Sequence, residues 1–171
     1  MKKVYITGIS GTGKSTISKI LNSKGIYSVS IDETEGLCLW KNKVTGERPE
    51  YDAQLNKEFI EAHEWICDIE KLKKLFITDS KIIVVVGIAS NQNDFLNLFD
   101  KVILLQCRPE TFIQRILNRK DNDFGKDEGA QKFLLGQYEE FESDLIKKGA
   151  TAVNVEGPIE TVVETVIKEI E

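Results

Sequence analysis

The order of apolar and polar positions along the chain predicts an alternation of strands and helices. Short apolar runs recur at residues 4–6, 27–31, 82–86, 102–105 and 152–155, and the segments between them are long enough for helices. Several runs are apolar at consecutive positions, which is typical of strands buried on both faces. The pattern therefore predicts an α/β fold in three layers, with a five-stranded parallel sheet and helices on both of its faces.

The longest connection, from Asp32 to about Ser80, has a pattern of its own. Between Leu55 and Phe76 the apolar residues are spaced by three and four positions. This spacing predicts one long amphipathic helix over about 52–76. The preceding residues 41–51 contain glycine and proline and predict a turn-rich loop.

The stretch GISGTGKS at residues 8–15 directly follows the first predicted strand and precedes a predicted helix. It fits G-x-x-x-x-G-K-[ST], although a glycine-rich turn without a ligand is the alternative. Glycines allow successive N–H groups to point at phosphate oxygens, and the start of a helix favours anions. We expect Lys14, with a solvated ammonium group, to reach the β- and γ-phosphates of ATP, and Ser15 to bind Mg²⁺. The predicted nucleotide-binding residues here are Gly8, Ser10, Gly11, Thr12, Gly13, Lys14, Ser15 and Thr16.

Four further stretches accompany this motif: Ser30-Ile31-Asp32, the pair Arg115 and Arg119, the polar segment 120–128, and Val155-Glu156-Gly157-Pro158. With them the chain resembles the small P-loop kinases, which include adenylate, shikimate and gluconate kinases, in a nucleoside-kinase-like branch. The resemblance covers nearly the whole chain. It implies one domain over residues 1–171, the sheet order 2-3-1-4-5, an acceptor-binding insertion at about 33–78 and a short lid at about 120–128.

Asp32 follows the second predicted strand, at the edge of the sheet where α/β proteins place their ligands. The resemblance implies a catalytic carboxylate there, which either accepts the proton of the acceptor hydroxyl or holds water on Mg²⁺. The alternative is a helix cap, because Glu35 follows three positions later. The third predicted strand ends at Gly87, where many P-loop proteins carry an acidic residue, so Ser15 and Asp32 are left as the metal-side groups.

Arg115 and Arg119 are four positions apart, a spacing that places both on one face of a helix. Helix arginines are often only solvated, but these are two of just four arginines and they precede the polar segment 120–128. The resemblance implies that Arg115 stacks on adenine, that catalytic Arg119 contacts the transferring phosphates, and that Pro158 lies beside the nucleotide.

The charge of the predicted insertion indicates the kind of acceptor. Between residues 32 and 64, acids at nine positions outnumber bases at four, and Arg48 is the only arginine. A nucleoside monophosphate is usually clamped by arginines, so a neutral hydroxyl acceptor fits better. Trp40, expected in a loop, is the better candidate for stacking on the acceptor, whereas Trp65 and His63 are expected to pack on the long helix.

The overall composition limits the partners. The net charge is −5, and no apolar run approaches the length of a membrane span, so nucleic acid and membranes are not expected partners. Cys38, Cys67 and Cys107 are far apart in the sequence and predict reduced core thiols in a cytoplasmic protein. The protein is expected to be a monomer or a homodimer.

These observations predict an ATP-dependent phosphotransferase that moves the γ-phosphoryl group to a hydroxyl of a small, uncharged acceptor such as a nucleoside or a sugar. Two alternatives stay open. One is a nucleoside monophosphate kinase, and the other is an ATP-binding module without phosphotransfer.

Overall fold

The five predicted apolar runs are strands of one sheet in the computed structural model, which describes residues 1–49, 55–120 and 123–171. The elements in chain order are β1 (Lys2–Thr7), α1 (Lys14–Ser23), β2 (Ser28–Ser30), β3 (Cys38–Asn42), α2 (Lys57–Ala62), β4 (His63–Cys67), α3 (Ile69–Leu75), β5 (Ile82–Val86), β6 (Lys101–Gln106), α4 (Pro109–Asn118), α5 (Glu128–Lys147), β7 (Thr151–Asn154) and α6 (Ile159–Ile170). Two short 3₁₀ turns, Gln92–Asp94 and Leu96–Leu98, follow β5.

The sheet has the order β2-β5-β1-β6-β7, and all four pairings are parallel. If the five strands of this sheet are numbered 1 to 5 along the chain, leaving out β3 and β4, their order is 2-3-1-4-5. In the centre, Val4 of β1 lies between Val84 of β5 and Lys101 of β6. Parallel strands share one carboxyl edge, so β1, β2 and β5 end side by side.

Alternate residues of β1 face two separate apolar layers. Val4 and Ile6 belong to a core with residues of α1 and α6, whereas Tyr5 packs in a second core with Leu72 of α3. All three strand residues are fully buried. The side-chain period of two thus gives a sheet covered on both faces, as the consecutive apolar positions predict.

The prediction of one long helix over about 52–76 is wrong. The described part of this segment consists of α2, β4 and α3, and β4 pairs antiparallel with β3 in a separate two-stranded sheet. The loop predicted over 41–51 begins two residues later than expected, because Lys41 and Asn42 belong to β3. Residues 50–54, on which the end of that loop and the start of the predicted helix fall, lie outside the described residues.

Local capping explains why the helix is interrupted. The Asn56 side chain accepts a hydrogen bond from the Phe59 N–H (3.0 Å) and starts α2, and the Asp68 side chain accepts one from the Lys71 N–H (3.1 Å) and starts α3. Asparagine and aspartate favour helix starts over helix interiors. The residues between the two helices include aromatic and β-branched side chains, which favour a strand when a partner strand is present.

No helix in the part of the chain that the structure describes combines the length and apolar composition needed to cross a bilayer.

Candidate active site

The loop between β1 and α1 packs tightly against α4. Gly11 has φ +89°, and a Cβ atom added there would lie 2.5 Å from the carbonyl oxygen of Phe112. Only glycine therefore fits at this position. The loop is tightened further by Thr12, whose buried hydroxyl donates to the Ile9 carbonyl (2.8 Å). These contacts fix the shape of the loop that leads into the start of α1, where a helix favours anions.

Lys14 is the first residue of α1, and its ammonium group is buried over the loop. It donates to the carbonyl oxygens of Gly8 (2.7 Å) and Ile9 (3.1 Å), and only 8% of the residue is exposed. The expectation of a solvated ammonium group is therefore wrong, because the loop itself supplies its acceptors. Burial lowers the pKa of Lys14 to about 8, with the nearby Asp32 acting in the opposite direction.

Ser15 and Thr16 follow Lys14 in the first turn of α1. Ser15 is half-buried, and its hydroxyl makes no hydrogen bond to another described residue, while Thr16 is exposed. A free hydroxyl beside a phosphate cradle is an oxygen donor of the kind that Mg²⁺ accepts. The donor set of Ser15 and Asp32 therefore fits Mg²⁺ in chemistry.

Asp32 follows β2 directly at the carboxyl edge of the sheet. The Ile31 N–H continues the pairing with β5 by donating to the Val86 carbonyl (2.9 Å). No helix begins between residues 31 and 37. The turn is instead closed by Thr34, which donates from its N–H and its hydroxyl to the Ser30 carbonyl (3.1 and 2.6 Å). Asp32 is therefore not a helix cap.

The indole N–H of Trp65 holds the Asp32 carboxylate by donating to Oδ1 (2.9 Å). The backbone N–H of Ile88 also acts on this carboxylate and lowers its pKa. The residue is reached by solvent, yet protein surrounds the carboxylate closely enough that desolvation raises the pKa of Asp32. The charge of Lys14 acts against this rise, so the fold brings the predicted lysine and carboxylate into one electrostatic site.

Gly87 explains the missing acidic residue at the end of β5. A Cβ atom there would lie 2.3 Å from Ile31 Cγ1 and 3.2 Å from Asp32 Oδ2. The close approach of the two strand ends leaves no room for a side chain. The carboxylate on this side of the site is therefore supplied by β2 rather than by β5.

Arg119 connects the phosphate loop with the segment after α4. Its guanidinium donates to the Ser10 hydroxyl (3.2 Å) and to the Phe124 carbonyl. Arg119 lies just beyond α4 in extended backbone, so the prediction that it shares a helix face with Arg115 is wrong. Its partners nevertheless place it beside the loop. Residues 121 and 122 of the predicted lid lie outside the described part of the chain.

Arg115 contacts the end of β7, from which the chain continues to Pro158. Arg115 donates to the Val155 carbonyl (2.9 Å), at the end of β7, and Pro158 is the N-cap residue of α6. The charge of Arg115 also acts on Cys107, which is close enough to Lys14 to interact with it. Arg115 therefore contacts the stretch 155–158, while the stacking of Arg115 on adenine and the position of Pro158 beside the nucleotide stay predictions.

The antiparallel pair of β3 and β4, which we call the hairpin although α2 lies between its strands, covers the Asp32 side of the site with aromatic rings. Trp40 lies opposite Trp65 in the register, with ring centroids 5.3 Å apart, and also contacts Phe59 (5.2 Å) and Phe124 (6.2 Å). The expected positions of Trp40 in a loop and of Trp65 on a helix are both wrong, because both residues are in strands. His63, also in β4 rather than on a helix, packs on the Phe59 ring (4.1 Å between centroids).

Sequence reasoning missed the residues that fix this hairpin to the main sheet. Ser90 exchanges two hydrogen bonds with the backbone of Trp65, one from its N–H (2.8 Å) and one to its hydroxyl (3.0 Å). The Asn91 side chain does the same for Cys67, accepting at 2.9 Å and donating at 3.0 Å. The only signal in the sequence was two polar residues just after β5, which predict a helix cap equally well.

The fold and the site together define a P-loop nucleotide-binding protein of the three-layer α/β class. The sequence profile of the AAA domain family matches residues 4–143. The chain belongs to this family.

Individual relatives agree with the resemblance to small P-loop kinases. A Methanocaldococcus jannaschii protein named "Putative adenylate kinase" is 30% identical over 118 residues, which cover 68% of this chain and 58% of that protein. The match thus spans less than two thirds of that relative.

Solved structures agree at the level of the fold. Deoxyadenosine kinase from M. mycoides with bound dATP has a TM-score of 0.60 and 21% identity, with 98% of both chains covered. A gluconokinase from Sinorhizobium meliloti 1021 has a TM-score of 0.53 and 16% identity, with 99% of this chain and 91% of the other covered. The fold is therefore that of the small P-loop kinases.

Proposed function

We propose that the protein is an ATP-dependent kinase that moves the γ-phosphoryl group to a hydroxyl of a small, uncharged acceptor such as a nucleoside or a sugar. The observation that carries the proposal is the arrangement of Lys14 and Asp32. The phosphate-loop ammonium and the carboxylate lie at the same sheet edge and each shifts the pKa of the other. Phosphoryl transfer requires a phosphate donor site and a positioned acceptor within one cleft.

On the donor side, the proposal assigns the phosphates to the loop of residues 8–13 and to Lys14. The ammonium group would exchange the Gly8 and Ile9 carbonyls for phosphate oxygens, since all three are acceptors for the same donor. Ser15 and Asp32 would hold Mg²⁺, directly or through water. When bound, ATP supplies the phosphoryl group and Mg²⁺ offsets the negative charge on the phosphates.

On the acceptor side, Asp32 would orient the acceptor hydroxyl and accept its proton. The hydrogen bond from Trp65 fixes the direction of the carboxylate, and the Ile88 N–H also acts on it. The raised pKa of Asp32 makes it a stronger base than an ordinary aspartate. Both features suit a general base.

The basic groups around the site favour an uncharged acceptor. Arg119 donates a hydrogen bond to Ser10 and Arg115 donates one to Val155, and the proposal assigns both to the nucleotide side. Arg108 forms an ion pair with Glu156 (3.4 Å). Arg48 is the remaining arginine, and it is exposed in the loop after β3. An acceptor monophosphate would need a cluster of bidentate donors near Asp32. Among the described residues, Trp65 donates to Asp32 and Trp40 packs on Trp65.

A nucleoside monophosphate kinase is the second candidate, because the M. jannaschii relative carries an adenylate kinase name. A coupled ADP-release assay with nucleosides, sugars and nucleoside monophosphates as acceptors separates the two. We expect turnover with an uncharged alcohol, and that turnover should fall by about two to four powers of ten in Asp32→Asn. Turnover with monophosphates alone would establish the second candidate. ATP binding without turnover on any acceptor would contradict both.

A further inference from the structure

Cys38 and Cys67 lie directly opposite each other in the β3–β4 hairpin. The neighbouring pair Leu37–Asp68 is hydrogen-bonded, because the Asp68 N–H donates to the Leu37 carbonyl (2.9 Å). Pair types alternate along an antiparallel ladder, so the cysteine pair is of the type without backbone hydrogen bonds. Agreeing with this, the N–H and carbonyl of Cys67 are bonded to Asn91.

This register gives the two cysteines the geometry of a disulfide. Opposite residues of a pair without backbone hydrogen bonds have Cα atoms about 4.5 Å apart, with side chains on the same face. Disulfides span Cα separations of about 4.4 to 6.8 Å. The two thiols are also close enough to interact, since each shifts the pKa of the other. The register therefore places the two Cα atoms within the range that a disulfide spans.

The same interaction makes the two thiols chemically unequal. The interaction with Cys38 lowers the pKa of Cys67, whereas the interaction with Cys67 raises the pKa of Cys38. Because the thiolate is the reactive form of cysteine, we take Cys67 as the attacking sulfur and Cys38 as the resolving one. Both residues are nearly completely buried, which restricts the oxidant to a small molecule.

We propose that Cys38 and Cys67 form a reversible disulfide on exposure to a small peroxide, and that this bond fixes the hairpin which holds Trp65 on Asp32. The Cys67 thiolate attacks one peroxide oxygen, the O–O bond breaks, and a sulfenic acid and water form after protonation. The Cys38 sulfur then attacks the sulfenic sulfur, its proton leaves with the hydroxyl group, and a second water is released. Two thiols are oxidised and one hydrogen peroxide is reduced to two waters.

Cys107 provides a control within the same chain. It is more exposed than the other two cysteines, but burial raises the pKa of its thiol, and no second cysteine faces it among the described residues. If exposure alone decided the reaction, Cys107 would react first. The proposal instead requires that Cys107 keeps its thiol while the pair loses both.

The test is peroxide treatment of the purified full-length chain, followed by thiol titration in denaturant and non-reducing peptide mapping. We expect the number of free thiols to fall from the three of the sequence to one. The mapping should find one cross-linked peptide pair joining positions 38 and 67, two hydrogens lighter than the separate peptides, and dithiothreitol should reverse both changes. The melting temperature should be higher in the oxidised chain than in the reduced one.

Cys107→Ser should still form the cross-link, whereas Cys38→Ser and Cys67→Ser should not. Three free thiols after treatment, a cross-link to Cys107, or oxygen addition at Cys67 without a cross-link would each overturn the proposal. The mapping of the unmodified protein decides the matter even if a serine variant fails to fold. None of these readouts depends on phosphotransfer.

Discussion

The hydrogen bond from Trp65 to Asp32 can be removed with little change of shape by Trp65→Phe. Phenylalanine keeps an aromatic ring against Trp40 but has no N–H to donate. A hydrogen bond to a charged group contributes about 1.5 to 3 kcal/mol. Because solvent reaches Asp32, water replaces part of the lost bond, and we expect the effect to be closer to about 1 kcal/mol. If the whole of this acts on the transition state, turnover falls about fivefold.

The sign of the pH effect follows from the same bond. The indole N–H stabilises the ionised carboxylate, so its removal should raise the pKa of Asp32 above its already raised value. Lys14 and Glu33, the other charged groups that act on Asp32, are unchanged in this variant. The acid limb of the turnover profile should therefore move to higher pH, while ATP affinity stays the same.

Two measurements check this prediction. A carbon-13 NMR titration of the Asp32 carboxyl group gives its pKa without any acceptor, and turnover against pH gives the catalytic effect. Trp40→Phe is the matched control, because it removes a similar ring from the same cluster without touching the Asp32 bond. An Asp32 titration and a pH profile that coincide in Trp65→Phe and in the unmodified protein would refute the assigned role of Trp65.

Three further predictions concern the rest of the site. ATP affinity should fall as the pH rises through about 8, where Lys14 loses its proton. The Lys14→Met variant should bind ATP weakly at every pH. An ATP affinity of this variant that depends on pH as strongly as that of the unmodified protein would contradict the prediction. Asp32→Asn should raise the melting temperature at neutral pH, because a raised folded-state pKa means that ionised Asp32 costs stability above that pKa. The gain in melting temperature should vanish below about pH 3.9, where Asp32 is protonated in both the folded and the unfolded chain. A lower melting temperature of the variant at pH 7 would contradict this prediction. Arg119→Lys should slow transfer more than it weakens ATP binding, and an ATP analogue should protect residues 123–128 from hydrogen exchange; normal rates and unchanged exchange would place the lid elsewhere.

The main sheet could be predicted because its strands have a strong local pattern. Runs such as Ile82–Val86 are apolar at every position, and the phosphate-loop motif follows β1 immediately. These signals depend on neighbouring residues alone. The positions of Lys14 and Asp32 at one sheet edge then follow from the parallel topology.

The hairpin could not be predicted in the same way, because its strands are stabilised by residues distant in sequence. The apolar residues within β4 also fit the spacing of a helix face. Only the pairing of β4 with β3 favours a strand over a helix there. Aspartate is a frequent N-cap residue, so Asp68 is a local signal in the sequence that a new helix starts there. The Trp65–Asp32 bond and the Cys38–Cys67 pair depend on the register and have no local signal.

The most direct test of the whole account is a crystal structure with ADP and an acceptor that the kinase assay has identified. The account predicts that the reacting hydroxyl lies within about 2.6 to 3.2 Å of an Asp32 carboxylate oxygen, on the side facing the phosphate loop. It also predicts that the ammonium group of Lys14 has left the Gly8 and Ile9 carbonyls for the nucleotide phosphates. An acceptor hydroxyl bound away from Asp32, with Lys14 still on those carbonyls, would contradict the central claim.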